Sequence, residues 1–192
     1  MILAAKELVE SKGIEAFALR EVARNVGVSA NAAYHHFEHR DALLFAVAFD
    51  GFAELATQRD AARGQAAPDA WSQLSAGAKV YVQFAEARPK LFDLMFGNFG
   101  VGSPQAKTLG SGAGGRNPYE QLSDALDKLV SSGRITPQRR AGAESALWPL
   151  IHGLAVLRRS GALHEPFDVS WERMLKFTAD GLGIDETKEA SH

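Results

Sequence analysis

Apolar residues recur along this chain at three- and four-residue intervals, the spacing that places them on one face of a helix. Ile2, Ala5, Leu8 and Val9 mark a first helix that Gly13 ends, and Val22, Ala23 and Val26 mark a second, short one. A third opens at Ser29 with Ala33 and Phe37 four apart on its inward side. From Asp41 to Phe49 the residues are apolar almost all round, continuing through Phe52 and Leu55, so this fourth helix is buried on more than one side. A polar break from Arg63 to Pro68 precedes a fifth helix carrying Trp71, Leu74, Ala78, Tyr81 and Phe84, which the Arg88-Pro89 step ends. A short sixth holds Leu91, Phe92, Leu94, Met95 and Phe96.

Gly97 to Arg116 reads as a mobile loop, rich in glycine and poor in core-forming side chains. Pro118 suits the first turn of a seventh helix with Leu122, Leu126 and Leu129. Thr136 caps an eighth that runs from Pro137 to Gly161 and kinks at Pro149, and a ninth spans Ser170 to Gly183. Asp185 to His192 reads as a frayed tail. No segment alternates with the period of a strand, and no repeat appears. The pattern predicts an all-α protein of about nine helices.

Between the second and third helices the chain has almost no room to turn. Two helices joined so tightly cross steeply, which requires a small residue at their contact and one tolerant of positive φ in the turn. Ala23 and Gly27 meet those needs, and Ser29 is a good N-cap. Asn31, Ala32, Tyr34 and His35 then fall toward the outside of the third helix. This is a helix-turn-helix whose second helix fits a DNA major groove.

The run Gly27-Val28-Ser29, then Tyr34-His35-His36-Phe37, Arg40 and Ala42-Leu43-Leu44, resembles the N-terminal domain of the TetR family of bacterial transcriptional regulators. Leu147-Trp148-Pro149-Leu150-Ile151-His152-Gly153, together with Arg88-Pro89-Lys90-Leu91-Phe92, resembles a branch of that family whose regulatory domain carries a Trp-x-x-x-His-Gly signature. The resemblance implies a TetR-like fold, with a DNA-binding domain over residues 1–40, a ligand-binding and dimerisation domain over 41–184, and a tail over 185–192. It implies a homodimer formed through the last two long helices and a palindromic double-stranded operator. Ser29, Asn31, Ala32 and His35 are then candidates near base edges, and Arg20, Tyr34, His36 and Arg40 candidates for phosphate contacts. Ala18 stands where the family often has a capping Ser or Thr, and His39 is a weak cap for the fourth helix. The sequence starts almost at the first helix, so the short basic arm common in the family either is absent or lies ahead of these residues, and a lower DNA affinity is expected for that reason.

Composition adds limits. With 46% hydrophobic and 23% charged residues the chain is ordinary for a soluble globular protein. It lacks a spanning apolar run and a signal-peptide pattern, so a cytoplasmic location is expected. The absence of cysteine excludes disulfides and thiolate metal sites. Residues 1–63 hold seven Lys and Arg against nine Asp and Glu, so DNA contacts should be few and local. His35 and His39 lie four apart, but no second His or Cys cluster supports a metal site, and none is expected.

Trp71, Phe84, Phe92, Met95, Phe96, Trp148 and His152 are candidates to line an apolar effector cavity, with His152 as polar anchor. Gly110 to Gly115 matches the dinucleotide pattern GxGxxG, yet no strand precedes it and no βαβ unit surrounds it. No nucleophile, carboxylate pair or metal cage supports an enzyme, and no cofactor is expected. The sequence therefore predicts a ligand-responsive DNA-binding regulator, most simply a repressor released by a small apolar effector. A helical small-molecule-binding protein with weak or lost DNA recognition is the alternative.

Overall fold

The computed structural model describes residues 1–101 and 118–184. The GxGxxG run, most of the glycine-rich loop and the tail over 185–192 lie outside the described residues. Every regular element among the described residues is a helix. They are α1 (Ile2–Lys12), α2 (Leu19–Asn25), α3 (Ala30–His36), α4 (Arg40–Gln65), α5 (Ala70–Ala87), α6 (Pro89–Phe96), α7 (Pro118–Ser131), α8 (Pro137–Arg140), α9 (Ala143–Arg159) and α10 (Phe167–Leu182). The tenth helix arises because the span from Pro137 to Gly161 is not continuous. Gly142 takes φ 72°, a left-handed conformation that ends α8 and starts α9 afresh. Thr136 caps α8 as its sequence predicts, its hydroxyl accepting from the Arg139 N–H at 3.3 Å. Helix α9 passes through Pro149 without interruption.

The chain divides into two compact units, Met1–Glu54 with Ala87–Gly115, and Leu55–Glu86 with Arg116–His192. In the first, α1 packs against α2 and α6, and α2 against α3. Val9, Val22, Leu43, Leu44, Phe92 and Met95 are among its fully buried side chains. An ion-pair network accompanies this core. Lys6 Nζ lies 2.7 Å from Asp50 and 2.5 Å from Glu54, while Arg88 reaches Glu54 at 2.9 Å and Glu10 at 3.6 Å. Burial pulls the Lys6 pKa down, but its hydrogen bonds to Asp50 and Glu54 outweigh that and hold it above the ordinary lysine value.

Helices α4 and α6 approach closely at Gly51, where a Cβ would stand 2.7 Å from Met95 Sδ and 3.2 Å from Leu91 Cδ1. A methyl there displaces a flexible thioether, and the gain of about 1 kcal/mol in helix propensity offsets part of the cost. A larger side chain has no such escape. Gly51→Leu should destabilise the first unit by about 1–3 kcal/mol and Gly51→Ala by much less, read as urea midpoints. Equal loss in both variants would mean that the contact is not limited by side-chain volume.

The second unit is built on a cluster that includes Leu74, Leu122, Leu126, Leu129, Leu147 and Leu182, with Trp71, Val130 and Trp148 packed against it. Helix α7 packs on α8 and α9.

Candidate nucleic-acid interface and ligand cavity

The turn between α2 and α3 is fixed by two backbone features. Gly27 has φ 75°, and a Cβ there would meet nothing within 4 Å, so only backbone conformation reserves the position for glycine. Ala23 is buried behind it and its carbonyl accepts from the Val28 N–H at 3.0 Å. Ser29 caps α3, its Oγ accepting from the Ala32 N–H at 3.1 Å. Ala18 precedes α2 with no side-chain cap, as its methyl group requires.

Of the seven residues of α3 only Ala33 is buried. Asn31, Tyr34, His35 and His36 are exposed and Ala32 is half-buried, while Ser29 is exposed at the helix start. A helix with one buried residue in seven has no packing reason for the rest of its surface. The rings of His35 and His36 meet edge to face with centroids 6.1 Å apart.

The cations nearby differ in how far they are already engaged. Lys12 and Arg24 share Glu21, at 2.6 and 3.2 Å. Arg20, exposed in the first turn of α2, has no ion-pair partner among the described residues. Arg40 is turned inward: its Nε donates to the Phe17 carbonyl at 3.1 Å, its Nη2 donates to the Ile14 carbonyl, and its Nη1 meets Asp41 at 3.1 Å. Its guanidinium also lies over the Phe17 ring. Arg40 therefore braces the start of α4 against the α1–α2 connection, which leaves it few donors for a phosphate.

His39 does more than its residue type promises. Its Nδ1 accepts from the Ala42 N–H at 3.0 Å, capping the first turn of α4. That role needs an unprotonated nitrogen. His39→Ala should cost about 1 kcal/mol, while His39→Ser, which keeps an acceptor, should cost little. Thermal midpoints of the two variants compare this directly, and an equal fall would remove the cap from the account.

The second unit holds a cavity of about 30 Å³ lined by Arg59, Leu74, Ala78, Tyr81, Pro118, Leu122, Trp148 and Ile151. Beside it the Tyr81 hydroxyl lies 2.8 Å from His152 Nδ1. Burial raises the Tyr81 pKa against the smaller opposing pull of Arg59, so the phenol keeps its proton. Burial, and after it the charge of Arg159, lowers the His152 pKa, so the imidazole is neutral. In the tautomer that carries its proton on Nε2, the imidazole accepts the Tyr81 O–H at Nδ1. The unfolded chain takes up a proton at His152 near the ordinary value of about 6.5, and the folded chain only at lower pH. The stability this bond contributes is therefore full above that value and is lost as pH falls through the folded one. Wild type should lose thermal stability more steeply below about pH 6.5 than His152→Gln. Parallel curves would contradict that assignment.

Of the residues that sequence singles out for a cavity, Trp148 lines this one and His152 bonds to its wall. Trp71 packs on the adjoining core cluster and Phe84 is buried in α5. Phe92, Met95 and Phe96 are in the first unit. There the Phe96 ring meets Phe52 at 5.3 Å and Phe92 at 4.6 Å, and Met95 packs at Gly51. Arg59 and Tyr81 are missed by the sequence reading. Arg59 sits in a polar-looking stretch of α4, and nothing local marks it as buried.

A separate groove of about 420 Å³ runs along α8, α9 and α10, lined among others by Arg139, Leu147, Leu150, Phe177 and Leu182. Phe177 is 72% exposed on α10 and Leu157 47% exposed on α9. No helix among the described residues is long and apolar enough to cross a membrane.

Two family models match the chain. "Bacterial regulatory proteins, tetR family" matches residues 2–47, and "Tetracyclin repressor-like, C-terminal domain" matches residues 74–178. The HTH-type transcriptional regulator Rv1816 of Mycobacterium tuberculosis is 31% identical over 121 residues, covering 55% of this chain and 52% of that protein. Mb1846 of Mycobacterium bovis matches to the same extent. The chain thus spans about half the length of the curated relatives it matches. Among solved structures, a protein of unknown function from Rhodococcus sp. RHA1 has a TM-score of 0.80 at 28% identity, covering 94% of this chain and 92% of that one. A TetR family transcription regulator from Marinobacter aquaeolei VT8 has a TM-score of 0.67 at 17% identity, with the same coverage, and shares the fold.

Proposed function

This chain belongs to the TetR family of bacterial regulatory proteins, and from that premise we propose that it is a homodimeric, ligand-responsive repressor released from a palindromic operator by a small effector. In this reading residues 1–40 read DNA, and residues 41–184 bind the effector and dimerise. The observation that carries it is α3, a capped helix of which only Ala33 is buried. Such a surface suits base edges through Ser29, Asn31, Ala32 and His35, and phosphates through Arg20, Tyr34 and His36. Arg40 contributes by holding the α4 terminus in place. The role is non-enzymatic.

Dimerisation is supported by the aromatic and aliphatic side chains left in solvent on α9 and α10. An exposed Phe177 beside an apolar groove is the composition of an interface core rather than of a free surface. Two-fold pairing sets two α3 helices about one DNA turn, ~34 to 36 Å, or somewhat more apart, and so demands a palindrome. The effector acts by favouring a state that does not fit the operator.

Sedimentation at micromolar concentration and salt-dependent retention on duplex DNA test this together. A dimer whose DNA affinity falls steeply with salt is the expected result. A monomer, or a dimer that ignores DNA at low salt, would instead favour a helical small-molecule-binding protein, a reading to which the excess of acidic residues before Arg63 lends support.

A further inference from the structure

Arg59 is the one wall residue of the second unit's cavity that its surroundings do not explain. Its side chain is buried, at 5% exposure, and its Nε has no hydrogen-bond partner. No carboxylate pairs with it among the described residues. The nearest acid along the helix, Asp60, is largely in solvent and bonds to Arg63 at 3.2 Å. Arg63 adds to the imbalance, because its own Nη2 is buried without a partner.

A buried guanidinium without a counter-ion is costly, and an apolar side chain of similar size would be the more stable occupant. Burial, and after it the charge of Arg63, lowers the Arg59 pKa to about 10, so the group keeps its proton at neutral pH. The other walls are apolar side chains, which offer no charge, and Tyr81, whose hydroxyl is protonated. Among the described residues the site is short of one negative charge.

We propose that the cavity binds a small monocarboxylate, its carboxylate paired with the Arg59 guanidinium and its apolar tail lying against Leu122 and Trp148. This names the chemistry of the effector and so rests on the ligand-responsive reading above. The planar guanidinium matches a carboxylate through two parallel N–H donors, which a point charge does not. By a measure in which one water needs about 10–15 Å³, a space of about 30 Å³ admits the head group and little more. The half-buried Trp148 ring must therefore turn to admit a tail, which makes it a reporter of occupancy.

The test is tryptophan fluorescence of the intact protein, without DNA, titrated with butyrate and benzoate against the isosteric butyramide and benzamide. The acids should bind about tenfold or more tighter than the amides, the factor a charge-assisted pair contributes. Arg59→Met should abolish that preference and leave the thermal midpoint equal or higher, because it removes an uncompensated charge. Arg59→Lys should keep a reduced preference, which secures the result if the Met variant does not fold. Equal binding of acid and amide, no saturable change with either acid up to millimolar concentration, a preference that survives in Arg59→Met, or a folded Arg59→Met of lower midpoint would each overturn the proposal. Because the readout omits DNA, the two ideas fail separately. Arg59-dependent acid binding that leaves operator affinity unchanged would sink the ligand-responsive reading alone, and release by neutral compounds alone would sink this one.

Discussion

Replacing Phe177 with Asp should convert the protein to a monomer. In one chain the ring is 72% exposed on α10 beside the groove that Leu147, Leu150 and Leu182 line. In the proposed dimer it fills the partner's equivalent surface, where an aromatic anchor contributes about 2 kcal/mol or more. A buried Asp adds desolvation to that loss. The dimer dissociation constant should therefore rise roughly thirtyfold or more, since each 1.4 kcal/mol is a factor of ten. Because the side chain is free in the monomer, helix content should stay unchanged, which separates lost association from lost folding. A variant that sediments as the wild-type dimer would place the interface on another face.

Arg20→Ala and Asn31→Ala should both weaken DNA binding, but in different ways. Arg20 is exposed, in the first turn of α2, with no ion pair to break among the described residues, so its loss removes charge and little else. Affinity should fall on every sequence alike, and the slope of log affinity against log salt should flatten by about one. Asn31 is exposed near the capped end of α3. Its loss should cost about 1–3 kcal/mol at the preferred base pair and relax selection there, with the salt slope unchanged. If Asn31→Ala lowered affinity equally for all sequences, it would belong with the phosphate contacts. The comparison between the two variants carries more than either alone.

The helix-turn-helix was legible because its constraints are local. A left-handed Gly27, a small Ala23 and a capping Ser29 lie within seven residues, and each has one structural use. Most helix positions were legible for the same reason, through apolar period and through the Pro or Gly at their ends. The break at Gly142 was not, because glycine within a helical pattern is often tolerated and nothing in Ala141-Gly142-Ala143 distinguishes a left-handed residue from a helical one. Arg40 has a structural role that its local pattern does not show. A basic residue after Tyr-His-His-Phe reads as a phosphate contact, yet its partners are the carbonyls of Ile14 and Phe17, more than twenty residues earlier.

The cavity was the least legible part, since its determinants are distant in sequence. Tyr81 and His152 stand 71 residues apart and meet only in the fold. Large apolar side chains alone pointed equally to Phe92, Met95 and Phe96, whose neighbours prove to be Phe52 and Gly51 in the first unit. Arg59, the residue that gives the cavity its charge, lies in a run of Thr, Gln, Arg and Asp that reads as a solvated helix face.

The central claim is that two copies of α3 read DNA in a fixed two-fold relation. Selection of bound sequences from randomised duplex DNA, at moderate salt and with the intact protein, tests it most directly. The account predicts recovery of a palindrome with half-sites about one helical turn, or somewhat more, apart. Enrichment of an unpaired half-site, or binding indifferent to sequence, would contradict it.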